Sequence, residues 1–321
     1  MTTETQQFTN EDKLRIAELI LERFKKSGFD SQAKFSKSVN LDKADISNLR
    51  NKSFVKNPQL IGNSKWIRLA RIGGFLKDDS FKWISADTLV KRFVDTQLKA
   101  CKELSIAGIM CDEVGIGKTY SCKEFALNNP NVFYVDCTHT RSKTRLIMAI
   151  AQAVGVEPIG RYDDILSDAI YALSLMSQPL IILDEAGDLG DLAILEIKRI
   201  WNGLEDQCGF YVLGSDGLKA KFERGIRCRK VGYKETFSRF GKLFSRAMPV
   251  NLKDQIEEFE NMAQQILTVN GVTDKNVQQT IIKKLKTETT IGDLRTISRQ
   301  VKKLRYQNPE SRTQNSEEKE V

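Results

Sequence analysis

Histidine and long apolar runs are nearly missing from this chain of 321 residues. His139 is the only histidine, which argues against histidine triads and histidine-based metal sites. No apolar stretch approaches the roughly 20 residues that a membrane span requires, and residues 1–10 are polar, without the apolar core of a signal peptide. We therefore expect a cytoplasmic protein with no membrane partner.

Paired metal-binding cysteines are also missing. The six cysteines include no C-x-x-C pair, and several lie in apolar segments, so the sequence predicts reduced core thiols rather than zinc ligands or disulfides. With 40% hydrophobic and 29% charged residues, the chain is long enough for two or three domains with their own cores. The cysteines are Cys101, Cys111, Cys122, Cys137, Cys208 and Cys228.

A phosphate-binding loop follows the first strand-like run. Residues 105–111 are apolar, and residues 112–119 read D-E-V-G-I-G-K-T. Backbone N–H groups of such a loop form a nest for phosphates, Lys118 can reach the β and γ phosphates, and the Thr119 hydroxyl can ligate Mg²⁺. Asp112 occupies the place of the first glycine, but this position only opens the loop. The predicted nucleotide contacts are Val114, Gly115, Ile116, Gly117, Lys118, Thr119 and Tyr120.

A second apolar run ends in two carboxylates. Residues 180–183 read L-I-I-L and are followed by Asp184 and Glu185. Asp184 is expected to hold Mg²⁺ through water, and Glu185 to polarise the water that attacks the γ phosphate. Either motif alone could match by chance. The two together, in this order, predict binding of ATP with Mg²⁺.

The remaining pattern predicts an α/β protein. Further strands are expected at 132–137, 208–216 and 248–252, and helices at 142–154 and 165–176. Strands that alternate with helices indicate a parallel sheet with its site at the carboxyl ends of the strands. From residue 254 the pattern is helical, and we expect the polar tail at 308–321 to be disordered.

The first 75 residues form a different, all-α unit. Helices are predicted at 12–26, 31–39 and 42–51, with Asn40 in the turn between the last two. This arrangement resembles the helix-turn-helix of lambda-repressor-like domains. The resemblance implies that Lys43, Ser47 and Asn48 meet bases in the major groove and that Gln32 contacts phosphate. The alternative is a helical hairpin that serves only packing or oligomerisation.

Positive charge is concentrated in one segment. The net charge is +8, and residues 219–246 carry ten lysines and arginines against two glutamates. Such clustering favours a polyanionic partner, although an ordinary surface segment is the alternative. The predicted phosphate contacts here are Lys221, Arg227, Arg229 and Lys230.

Taken together, the chain resembles AAA+ ATPases and, within them, the Mu B family of transposition proteins. The resemblance divides the chain into a flexible start (1–10), a helix-turn-helix domain (11–75), a linker (76–86), an AAA+ core (87–253), a helical lid (254–307) and the tail (308–321). It implies that Ser215 or Asp216 is the sensor-1 residue, Arg239 or Arg246 the arginine finger and Arg295 the sensor-2 arginine.

The same resemblance implies a function. The protein is expected to bind duplex DNA with little sequence preference, to form a ring or helical filament, and to recruit and activate a DDE transposase at the target. It would be encoded by a bacterium or a phage and associate with the nucleoid. Two alternatives remain: a helicase loader of the DnaC or IstB type, and an ATP-sensing transcription regulator.

Overall fold

The computed structural model describes residues 8–39, 41–75, 83–285 and 292–307, with side chains as far as residue 304. Asn40 of the predicted turn, part of the linker and the whole predicted tail at 308–321 lie outside the described residues. The helices of the N-terminal domain are α1 (Asn10–Lys26), α2 (Gln32–Ser38), α3 (Lys43–Arg50), α4 (Ser53–Lys56) and α5 (Asn63–Gly73).

The N-terminal domain has the predicted order of helices around one small core. Thr9 caps α1 in a capping box with Asp12, and Ser31 caps α2 by accepting from the backbone N–H of Lys34. Phe35, Ile46 and Trp66 are among the fully buried side chains. The hydrophobic residues therefore hold α2 and α3 at the helix-turn-helix positions that the sequence predicts.

A four-stranded parallel sheet forms the centre of the second domain. Its order is β1-β4-β3-β2, and its helices pack on both faces. This confirms the predicted α/β fold. The strands are β1 (Ala107–Cys111), β2 (Val132–Asp136), β3 (Leu180–Asp184) and β4 (Gly209–Gly214). The helices are α6 (Leu89–Leu104), α7 (Lys118–Asn128), α8 (Lys143–Val154), α9 (Tyr162–Ser174), α10 (Asp191–Asn202), α11 (Asp216–Arg227) and α12 (Tyr233–Arg239).

The prediction of a strand at 248–252 is wrong. The chain instead joins the sheet earlier, through a single parallel bridge between Ser245 and Met110 of β1. Pro249 has no backbone N–H to donate to a ladder. Asn251 then caps a helix by accepting from the N–H of Lys253 at 3.1 Å. The region predicted as the lid contains α13 (Leu252–Val269), α14 (Lys275–Leu285) and α15 (Arg295–Gln307).

The N-terminal domain packs against the β2 edge of the sheet. Phe29 lies 6.1 Å from Phe133, measured between ring centroids, and the N–H of Asn131 donates to the carbonyl of Ser27 at 3.3 Å. An exposed ion pair joins Lys37 to Glu157 at 3.2 Å. The described helices contain no segment long and apolar enough to cross a membrane. Five of the six cysteines are buried free thiols, and Cys228 is exposed.

Candidate functional site

The phosphate loop connects β1 to α7 at the carboxyl edge of the sheet. Gly115 has φ +77° and Gly117 has φ +100°, conformations that side chains rarely tolerate. Gly117 is the N-cap of α7, so Lys118 and Thr119 begin the helix and its backbone N–H groups open towards the loop. The loop therefore has the backbone geometry of an anion site.

Lys118 lies across the opening of this loop. Its Nζ donates to the carbonyl oxygens of Asp112 at 2.8 Å and Glu113 at 2.5 Å. Burial lowers the pKa of Lys118, and the charges of Asp112, Glu185 and Asp184 oppose that shift. The lysine is therefore within electrostatic reach of both carboxylates that follow β3.

The two carboxylates differ in their surroundings. Asp184 ends β3 and is buried, and it accepts from the Tyr134 hydroxyl at 2.7 Å and from the N–H of Glu185 at 3.0 Å. Glu185 has its backbone in the left-handed region at φ +52°, and its side chain is exposed but not fully solvated. This partial desolvation, followed by the charge of Asp184, raises the pKa of Glu185. Tyr134 had no signal in the sequence, because nothing there shows that β2 lies beside β3.

The residues fit a magnesium ion that is shared with a nucleotide. Among the described residues, no group of three histidine, cysteine or acidic side chains could hold a metal ion alone. Mg²⁺ is commonly held by one or two protein oxygens together with substrate phosphates. Thr119 and Asp184 would supply the protein oxygens, because a carboxylate that accepts two hydrogen bonds still has lone pairs to offer.

Asp112, which replaces the usual first glycine, is an anchor rather than a phosphate contact. Its side chain is buried, and one oxygen accepts from the N–H groups of Ala247 at 2.6 Å and Met248 at 2.9 Å. The other oxygen accepts from the N–H of Glu113 at 2.9 Å. The motif spacing alone does not reveal this role, since Ala247 and Met248 lie more than 130 residues away in the sequence.

A mostly apolar cavity of about 470 Å³ adjoins the loop. This volume falls in the range of small-molecule sites, and the surroundings suit the base and ribose of a nucleotide. The N–H of Leu294 in the lid donates to the carbonyl of Gly115 at 2.9 Å, which closes one side. Trp83, Thr88, Tyr120, Ile266, Leu294 and Arg295 are among the lining residues.

A single asparagine ties the segment before α6 to the lid. The Asn270 side chain accepts from the N–H of Ile84 at 3.1 Å and donates to its carbonyl at 3.0 Å. Trp83 is thereby held at the cavity, although the sequence predicts only a linker there.

The residues that the resemblance selects as sensors lie near this site. Ser215 follows β4 directly and is the N-cap of α11, and Asp216 is the first residue of that helix. Arg295 begins α15 beside the cavity, where its Nε donates to Asp293 at 3.0 Å and its side chain is 68% exposed.

The two finger candidates occupy different places. Arg239 ends α12 and donates to the Asn202 side chain at 3.0 Å. Arg246 follows the Ser245 bridge and lies beside Asp112 of its own phosphate loop, with its Nη2 3.6 Å from a carboxylate oxygen. The structure thus brings only Arg246 to the loop of the same chain.

The basic segment, residues 219–246, contains cations that are bound within the protein and cations that are exposed. Lys221 donates to the carbonyls of Gly187 and Leu189, both at 2.6 Å, and Lys230 pairs with Asp191 at 2.7 Å. Arg227 and Arg229, at the end of α11 and just beyond it, are exposed. Two of the four predicted phosphate contacts are therefore already engaged within the protein.

The predicted base-reading residues lie on the surface of α3. Lys43 and Ser47 are exposed, whereas Asn48 is half-buried. Gln32 is the first residue of α2 and is also half-buried. Their order agrees with the predicted motif, and their contact with DNA stays a prediction.

Comparison with known proteins identifies relatives of this chain. Residues 107–221 match the family model described as an AAA domain. The chain is 25% identical over 160 residues to the "ATP-dependent target DNA activator B" of Escherichia phage Mu, which covers 47% of this chain and 50% of that protein. It is 29% identical over 113 residues to the "Mu-like prophage FluMu DNA transposition protein B" of Haemophilus influenzae, which covers 35% and 39%.

The matched part thus spans about half the length of the phage Mu relative. The segment that matches the AAA model, residues 107–221, includes the phosphate loop, the acidic strand β3 and β4. The predicted resemblance is confirmed: residues 107–221 match an AAA domain, and the chain is similar to the Mu B transposition proteins.

Proposed function

We propose that this chain is an ATPase that assembles on duplex DNA in an ATP-dependent manner, selects it as a transposition target, and recruits and activates a DDE transposase. One observation carries the proposal: Lys118 and Thr119 lie with Asp184 and Glu185 at the carboxyl edge of one parallel sheet. The printed names of the relatives, a target DNA activator and a transposition protein, support the biological role.

Each residue at the phosphate loop would have a separate task in hydrolysis. The N–H groups between Val114 and Thr119 bind the phosphates, with Ile116 in the middle of the loop, and Lys118 leaves its carbonyl partners to pair with the β and γ phosphates. Mg²⁺, when bound, would neutralise the charge that develops on the transferred phosphoryl group. Thr119 and Asp184 would hold that ion, and Glu185 would orient and polarise the attacking water.

Residues outside the loop would complete the site. Ser215, at the end of β4, is proposed to orient the γ phosphate as the sensor-1 residue. To act as the sensor-2 residue, Arg295 would have to release Asp293 and contact the nucleotide instead. A finger arginine from a neighbouring subunit would make hydrolysis depend on assembly.

DNA would be bound mainly through its phosphates. Arg227 and Arg229 are exposed, so they can meet a polyanion from where they lie. Lys221 and Lys230 could join only by leaving Gly187, Leu189 and Asp191. Phosphate contacts carry no base information, so binding with little sequence preference is expected. On α3, Lys43, Ser47 and Asn48, with Gln32 on α2, form the second proposed contact surface.

Electron microscopy with duplex DNA and a non-hydrolysable ATP analogue tests the proposal. We expect filaments or stacked rings on DNA of any sequence, absent without nucleotide and dispersed once ATP is hydrolysed. A footprint confined to one palindrome would instead favour the transcription regulator. Stoichiometric binding to a replicative helicase, with no assembly on duplex DNA, would favour the loader.

A further inference from the structure

The carboxylate of Asp112 binds together two parts of the ATPase core that are distant in sequence. The main chain of Ser245 pairs with β1 on both sides, donating to Ile109 at 2.9 Å and accepting from Cys111 at 3.1 Å. Immediately beyond, Asp112 accepts from the N–H groups of Ala247 and Met248. A glycine at the same position could make neither bond, because it has no acceptor.

Burial makes this anchor costly to lose. The side chain of Asp112 is 0% exposed, and a buried charge is tolerated only when it is hydrogen-bonded and paired. Three backbone N–H groups supply the hydrogen bonds, and the guanidinium of Arg246 supplies the opposite charge.

Arg246 in turn is folded back onto its own chain. Its Nε donates to the carbonyl of Met248 at 2.9 Å, and its Nη2 donates to that of Pro249 at 3.1 Å. The same Nη2 lies 3.6 Å from Asp112 and 3.8 Å from Glu113. The guanidinium therefore faces two carboxylates at the opening of the phosphate loop, where unbalanced negative charge would repel a triphosphate.

We propose that Asp112 is a positioning residue that holds residues 245–248 against the phosphate loop. Arg246 is thereby kept at the loop of its own subunit, that is, in cis, where the positive charge of Arg246 offsets the negative charges of Asp112 and Glu113. The inference rests on the proposed binding of ATP at this loop. It assigns Arg246 to nucleotide binding in its own subunit and leaves Arg239 as the candidate finger for a neighbour.

Limited trypsin digestion of the full chain without nucleotide tests the anchor independently of ATP. Asp112→Gly restores the common loop sequence, yet it should speed cleavage after Arg246 by roughly tenfold, because removing hydrogen bonds to a charged group frees the segment. Asp274→Gly is the control, since Asp274 also accepts two backbone N–H groups but lies in the lid. Unchanged cleavage in Asp112→Gly overturns the anchor.

Asp112→Asn serves if the glycine variant does not fold. It keeps an acceptor oxygen and removes the charge, so an intermediate cleavage rate is expected, and a wild-type rate counts against the anchor.

Equilibrium titration with a fluorescent ATP analogue tests the cis assignment. Arg246→Ala should raise Kd by roughly tenfold, and Asp112→Asn in the same chain should recover part of that loss, because the two charges are coupled.

The outcomes separate the two proposals. An Arg246→Ala chain that binds the analogue like the wild type and loses only hydrolysis would show that Arg246 serves a neighbour, which overturns the cis assignment. A wild-type chain that binds no nucleotide would refute the proposed ATPase, while the trypsin comparison would still decide whether Asp112 anchors residues 245–248.

Discussion

The nucleotide site and the basic segment differ in what their charged residues already do. At the phosphate loop, Lys118 and the carboxylates of Asp184 and Glu185 converge from separate elements onto one edge of the sheet. In the basic segment, two of the four predicted DNA contacts, Lys221 and Lys230, are bound to their own protein. A dense run of cations is therefore not equivalent to a surface available to DNA.

The difference has a physical origin. A phosphate loop works through backbone N–H groups, whose positions follow from glycines at fixed spacing. A lysine on a helix can bind a carbonyl, a carboxylate or a phosphate, and the choice depends on tertiary neighbours that a count of charges does not contain. Five experiments test this contrast.

Lys118→Ala should have the largest effect. Without the ammonium group the β and γ phosphates lose their principal side-chain cation, so we expect no measurable nucleotide binding and, with it, no assembly on DNA. Titration with a fluorescent ATP analogue and microscopy on DNA measure the two losses. DNA-bound filaments formed by the variant would separate assembly from nucleotide and contradict the proposal.

Arg239→Ala should slow hydrolysis by about 10³-fold while leaving nucleotide affinity intact, because a finger acts on a neighbour's transition state. Mixing this variant with Lys118→Ala subunits should restore activity, since each supplies what the other lacks. The same mixture made with Arg246→Ala should stay inactive if Arg246 acts in cis. Failure of every mixture, with mixed assembly verified, would remove Arg239 as the finger.

Glu185→Gln should reduce hydrolysis by about 10²-fold or more while ATP still binds, because the amide cannot polarise water and the Mg²⁺ ligands are untouched. The oligomer should then stay on DNA after ATP is added. Phosphate release and dissociation from labelled duplex are the measurements. A wild-type rate of hydrolysis would show that Glu185 has been assigned the wrong role.

Arg227→Ala with Arg229→Ala should weaken binding to all duplex sequences and reduce the salt slope by about 0.9 for each phosphate that is no longer neutralised. In the ATP-bound assembly, Lys43→Ala with Asn48→Ala should matter less. Titration of one duplex at several salt concentrations compares them directly. A greater loss of affinity in the helix-turn-helix variant would make α3 the main DNA-binding surface and reverse the proposed order.

Lys221→Met should have the smallest effect on DNA and a modest one on stability. The change removes two hydrogen bonds to the turn after Glu185, which should lower the free energy of unfolding by about 1–3 kcal/mol. The salt slope of DNA binding should not change. Chemical denaturation and the same duplex titration provide both numbers, and a reduced slope would mean that Lys221 does reach phosphate.

Much of the fold could be predicted because local patterns determine it. The helix predicted at 142–154 forms as α8, Lys143–Val154, with Ser142 as its cap, because the capping side chain and the apolar spacing agree. The strand expected at 248–252 failed because its few apolar residues could not show that Ser245 would pair with β1 instead.

Only the parts of the candidate site that form contiguous sequence motifs could be predicted. The loop and the acidic strand are contiguous motifs, whereas Tyr134, Trp83 and Asn270 reach the site from other elements. Their roles depend on strand order and on docking of the lid, which arise from packing across the whole chain. Asp112 departs from the motif, and its role could not be predicted because Ala247 and Met248 are distant in sequence.

β2 is an edge strand, and the N-terminal domain contacts it near its start: the N–H of Asn131 donates to the carbonyl of Ser27, and the ring of Phe29 packs near that of Phe133. A fragment trimmed to start near α6 would lose these contacts and present the apolar strand V-F-Y-V-D more openly to other copies of itself. Exposed apolar edges of this kind template pairing between chains. We therefore expect the isolated core to aggregate at concentrations where the whole chain stays dispersed.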